Sequence, residues 1–130
     1  TSDAAGLATN LNNLSGCLDA IGHREDALAA IEEAVAICRE LAAARPDAFR
    51  PDLATSLSVR GDIFKSLERH GDAMASHADG LRTLMPSLQE LPQAFAQLTI
   101  QVLRYYMECA QAAGLEPDGG TPVSHHRQAA

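Results

Sequence analysis

The sequence predicts an all-α protein, a stack of antiparallel helix hairpins with about five helices, on three observations. Apolar residues fill 46% of the 130 positions while aromatics fill 4% and tryptophan is absent, so the apolar mass is aliphatic and includes 24 alanines. That composition favours helices packed through small side chains over a sandwich or barrel, which draws on β-branched and aromatic residues. Leucine and alanine recur at three-to-four spacing along most of the chain, the period of an amphipathic helix. Finally, a shift of 46 residues lays Leu7-Ala8-Thr9-Asn10-Leu11 on Leu53-Ala54-Thr55-Ser56-Leu57 without a gap.

The same shift aligns Asp26-Ala27 with Asp72-Ala73, Pro46-Asp47-Ala48-Phe49 with Pro92-Gln93-Ala94-Phe95, and Leu57 with Leu103. Residues 1–6 are therefore a lead-in, 7–52 and 53–92 are two repeats, 93–114 is the first helix of a third repeat or a capping helix, and 115–130 is a flexible tail. In the first helix, Leu7, Leu11, Leu14, Leu18 and Ile21 make one apolar stripe that stops at Gly22. The second helix runs from about Arg24 to about Arg45, where Pro46 ends it, and its stripe is Ala27, Leu28, Ile31, Ala34, Val35, Cys38, Leu41 and Ala42. At 1.5 Å per residue it spans roughly 33 Å. A third helix is expected from about Asp52 to Arg69, a turn at His70-Gly71, and a fourth helix from Asp72 to about Met85, interrupted by Pro86. The fifth spans about Gln93 to Ala113 and ends at Gly114. After it, the Gly-rich and polar end carries no periodicity.

Ten basic residues against 17 acidic ones give a net charge of −7, and the basic residues are scattered, so nucleic acid is not an expected partner. Cys17, Cys38 and Cys109 stand far apart without metal-ligand spacing, which points to a reducing, cytoplasmic setting. No apolar run approaches the length of a membrane span, so no membrane association is expected. Because it opens Thr1-Ser2-Asp3 without Met, the chain reads as part of a longer protein.

Two antiparallel helices per repeat with Gly between them, and small residues at Ser15, Gly61, Ala27, Ala73, Ala34 and Gly80, resemble the tetratricopeptide repeat. The matching residues in the first copy are Leu11, Leu14-Ser15, Leu18, Gly22, Ala27, Ile31 and Ala34. Leu57, Arg60-Gly61, Phe64, Ala73, His77 and Gly80 answer them in the second, and Leu103, Tyr106-Met107, Ala110 and Gly114 in the third. The period is longer than the usual 34, which is similar to the long-helix variants of the kinesin light chain and of many bacterial signalling proteins. The resemblance implies a right-handed superhelical stack that binds a peptide or partner helix on the concave surface lined by the first helix of each repeat.

On that surface the residues off the apolar stripe become the expected partner-binding set: Asn12, Asn13 and Asp19 in the first copy, Ser58, Asp62 and Lys65 in the second, and Gln101, Arg104, Tyr105 and Glu108 in the third. Their amides suit a peptide backbone, and Lys65 and Arg104 suit a carboxylate. Without a His-x-x-x-His pair or converging ligands, no metal or other cofactor is expected, and without a nucleophile motif or a phosphate loop no enzyme activity is. His77 takes a packing position, as a buried neutral imidazole that makes packing sensitive to pH. The function expected is a protein-interaction scaffold, with the ligand-sensing segment of a larger bacterial ATPase, transcription regulator or protease as the alternative. Leu98, Ile100, Val102, Leu103, Tyr105, Tyr106 and Met107 make the last helix apolar nearly all round, so it is expected to be covered by a second copy of the chain or by the rest of a parent protein.

Overall fold

The computed structural model describes residues 2–114, which form five helices and, among the described residues, no strand. These are α1 (Ser2–Ala20), α2 (Arg24–Ala44), α3 (Pro46–Ser66), α4 (His70–Glu90) and α5 (Pro92–Ala113). Each helix packs on the next in chain order, and α1 also touches α3. Connections of one or three residues turn the chain back on itself, so neighbours run antiparallel: Ser58 meets His77 while Ala54, further back on α3, lies beside Gly80, further on in α4. No single core gathers the helices. Ala8, Ile31 and Leu57 tie α1, α2 and α3 together, Phe64, Met74 and Tyr106 tie α3, α4 and α5, and a third cluster joins Ala54, Leu84 and Val102.

The 46-residue register is written into the backbone as well as the side chains. Gly22, Glu68 and Gly114 follow one another at that interval, and all three take a left-handed conformation, with φ of 88°, 59° and 68°. At the first two the helix closes in the same way, His23 N–H donating to the Leu18 carbonyl and Arg69 N–H to that of Phe64, both at 2.8 Å. This is the six-to-one hydrogen bond of a Schellman turn. The other connections are single residues, Arg45 and Leu91, with nearly equal dihedrals (φ −140° and −135°). Each carbonyl accepts from the amides three and four residues on, and each is followed by a proline at the first helical position, where no intrahelical N–H bond is lost.

Small residues sit where helices come closest. Ala27, Ala34 and Ala73 are fully buried, as is Ser15. At Gly61 a Cβ would lie 2.5 Å from His77 Nε2, so the glycine makes room for the imidazole. The stripe expected on the second helix is buried or half-buried throughout.

Several sequence expectations are corrected. The first helix starts at Ser2, ahead of the first expected stripe residue, Leu7. The third helix starts at Pro46, not Asp52, and runs through Pro51; its closing turn falls at residues 67–69, so Gly71 lies in the first turn of α4. Pro86 does not interrupt α4, which continues to Glu90. A proline removes one hydrogen bond, and the packing of Leu84 and Ser87 on either side keeps the helix intact. The single stripe expected on the first helix divides between two faces: Leu11 and Leu18 are half-buried, whereas Leu7, Leu14 and Ile21 are 47%, 48% and 67% exposed. Cys17 is exposed with them, while Cys38 and Cys109 are buried. The expected tail, 115–130, lies outside the described residues.

Candidate protein-interaction surface

The residues expected to meet a partner lie on α1, α3 and α5, and most are linked sideways from helix to helix. At the α1 edge, Ser66 Oγ donates to Asp19 Oδ2 at 3.0 Å, and the Arg24 guanidinium stands 3.8 Å from the other carboxylate oxygen. One turn back on α3, Asp62 Oδ1 is 3.7 Å from Nε2 of His77, which rises from α4 beneath the surface. Across to α5, Lys65 Nζ faces Glu108 at 3.9 Å, and the Tyr105 ring tilts over His77 with centroids 5.7 Å apart. Gln101 Nε2 extends the line by donating to the Tyr105 hydroxyl at 3.1 Å. Asp19, Asp62, Lys65, Glu108, Tyr105 and Gln101 thus form one polar ribbon across three helices.

The remaining expected residues fall elsewhere. Arg104 and Asn13 are exposed. Ser58 is buried at 8% exposure, its hydroxyl 3.4 Å from His77 Nδ1, so it supports the imidazole and offers nothing to a partner. Asn12 is half-buried and its Oδ1 accepts from Ser56 Oγ at 2.9 Å. With Asn13, Thr9, Asp52 and Thr55 it lines a groove of about 340 Å³ between α1 and α3.

Burial governs the charge states below the ribbon. His77 is fully enclosed, and burial, reinforced by the Lys65 charge, lowers its pKa to about 4, so the imidazole is neutral at pH 7. Burial also raises Asp62 to about 6; Lys65 opposes the shift while Asp19 and Glu108 add to it. His77 Nε2 and Asp19 Oδ1 are buried without a hydrogen-bond partner among the described residues. Ser58, His77 and Asp62 form a row, yet a fully enclosed imidazole presents no basic nitrogen to a substrate, and the row packs α3 on α4. Among the described residues no group of His, Cys, Asp or Glu could hold a metal ion, and no helix is long and apolar enough to cross a membrane.

Sequence reasoning placed His77 in the packing but did not foresee that it would underlie the ribbon. It also missed Arg60, whose side chain donates to Ser76 and Glu32, each at 3.0 Å, and lies 3.8 Å from Asp79. That guanidinium joins α2, α3 and α4. Its signal was a basic residue standing where the first copy has Leu14, on the apolar stripe. Comparison with protein-family models, curated proteins and solved structures finds no match to this chain.

Proposed function

We propose that this chain is a protein-interaction module of the tetratricopeptide type, which binds an extended or helical segment of a partner protein along the first-helix face. The carrying observation is the ribbon itself: side chains from α1, α3 and α5 meet laterally, so one ligand lying across the three helices would touch all of them. Asp19, Asp62 and Glu108 outnumber Lys65 there, and the chain carries −7 overall. The segment recognised is therefore basic, with a Lys or Arg placed to compete for Asp62 and Glu108. The free cysteines suit a reducing compartment, the cytoplasm in this reading. The groove between α1 and α3 favours the second reading, a sensor segment that takes a small polar ligand beside Asn12 and Asp52.

The test is selection of a displayed random-peptide library on the chain, followed by calorimetry of the enriched peptides on variants. Enrichment in Lys or Arg is expected, with about a tenfold or greater loss of affinity in Asp62→Asn/Glu108→Gln and none in Leu14→Asp. Peptides of no charge preference that bind the paired variant as tightly as the parent would remove this reading.

A further inference from the structure

The 46-residue register shows what each face of a first-type helix is used for. Helix α3 docks on α2 through Leu53, Ser56, Arg60 and Ile63. Ser56 Oγ lies 3.6 Å from Cys38 Sγ, Arg60 pairs with Glu32 at 3.0 Å, and Leu53 and Ile63 share a buried cluster with Ile31 and Val35. Helix α5 docks on α4 through the corresponding positions, Val102 packing in one cluster with Leu84, and Tyr106 and Cys109 in one with Met74. Carried back to α1, the same positions are Leu7, Asn10, Leu14 and Cys17, continued by Ile21. All five are exposed. The face that seats a helix twice in this molecule is thus present a third time, over about four turns of α1, with no described helix seated on it.

We infer that this face of α1 is a docking site for an amphipathic helix of a partner protein, seated as α2 is seated on α3. It continues an interface that the chain already builds twice. A second copy is not the occupant, because the element required is a second-type helix, and α2 and α4 are each engaged on both sides. The chemistry of the partner follows from the positions that differ. Leu14 stands where α3 carries Arg60, so the incoming helix brings an apolar residue where α2 brings Glu32. Leu7 and Ile21 extend the apolar track at both ends, and Asn10 replaces Ser56 as the one polar group on it. The partner stripe is therefore aliphatic and uncharged, with apolar residues three to four apart over about three turns. The site stands independently of the polar ribbon, which lies on another face of the same helix.

Cys17 reports on occupancy, since it lies on the face and is the exposed thiol while Cys38 and Cys109 are buried. The probe is a synthetic helix of residues 24–44 carrying Glu32→Leu and Cys38→Ser, and the readout is the rate of Cys17 alkylation in the full chain by mass spectrometry. Saturating peptide is expected to slow alkylation about tenfold or more, with that protection lost in Leu14→Asp and kept in Leu103→Asp, whose change lies on the open face of α5. An unprotected Cys17, or protection that survives Leu14→Asp, would overturn the inference. So would sedimentation of the chain alone as a dimer that Leu14→Asp disperses, since the occupant would then be a second copy.

Discussion

Glu68 holds a φ of 59° at the position that Gly22 and Gly114 fill in the other copies. A side chain there crowds the following carbonyl, at a cost of about 1–2 kcal/mol that glycine escapes. Part of the gain on substitution is returned through the greater freedom of glycine in the unfolded chain. Glu68→Gly is accordingly expected to raise stability by about 1 kcal/mol, measured as the urea midpoint at unchanged m-value; a lower midpoint would mean that the turn is relaxed with Glu. The pair below the ribbon makes a second prediction, with two opposed signs. His77 has its folded pKa lowered from 6.5 to about 4, so its contribution is present above 6.5 and is lost as pH falls towards 4. Asp62 has its folded pKa raised from 3.8 to about 6, so its contribution is present below 3.8 and is lost as pH rises through 6. The two nearly oppose each other in the parent; Lys65 acts on both groups, whereas Asp19 and Glu108 act on Asp62. In Asp62→Asn only the His77 contribution remains, and stability should fall between pH 6.5 and 4 relative to the parent; in His77→Leu it should rise. Denaturant titrations at the two pH values check both signs, and parallel curves for the three proteins would exclude the coupling of this pair to folding.

Prolines divide the helices into what the sequence made legible and what it hid. Pro46 was readable as the end of one helix, since the residue before a proline avoids the helical region. That it also begins the next helix was hidden, because the expected start was Asp52, beyond a second proline at 51 that the helix in fact accommodates in its interior. Periodicity likewise found the apolar residues of α1 but could not divide them between a face packed on the described helices and an exposed one, because both faces carry leucines at the same spacing. In the candidate surface, Asp62, Lys65, Tyr105 and Glu108 were legible as polar residues in register off the stripe. The seating of His77 on Gly61 was not, since it pairs two helices whose relative depth no single-helix pattern sets. Pro86 is the place to measure what such a helix tolerates. Its nitrogen cannot donate to the Arg82 carbonyl, and a proline in a helix interior costs about 3 kcal/mol. Pro86→Ala should raise the urea-derived stability by about 1–3 kcal/mol. Pro92→Ala, at a first helical position, should leave it within about 0.5 kcal/mol of the parent. Equal effects at the two sites would show that α4 is already bent to avoid the lost bond.

Because each helix rests mainly on its chain neighbours, stability should be distributed along the stack rather than held in one core. Helices α2, α3 and α4 are each covered on two sides, whereas α1 exposes Leu7, Leu14 and Ile21, and α5 exposes Ile100, Leu103 and Met107. The register explains α5 as it explains α1. Ile100, Leu103 and Met107 correspond to Ala54, Leu57 and Gly61, which α4 buries within the second hairpin, and no described helix packs on those positions of α5. Amide hydrogen exchange should then be slowest in α3 and its contacts with α2 and α4, and faster towards both ends, because an end helix opens by breaking one interface and a central helix by breaking two. Leu84 permits a sharper form of the test, being fully buried in a cluster with Ala54 and Val102 at the junction of α3, α4 and α5. Leu84→Ala deletes side-chain volume there at a cost of about 2–5 kcal/mol. In a stack with nearest-neighbour coupling the loss falls first on the α4–α5 interface, so exchange in α5 should accelerate about tenfold or more while α1 and α2 change little. In a molecule that unfolds as one unit, every slowly exchanging amide would accelerate by the same factor. Uniform acceleration across α1 to α5 would therefore rule out the modular stack and make the five helices a single cooperative bundle.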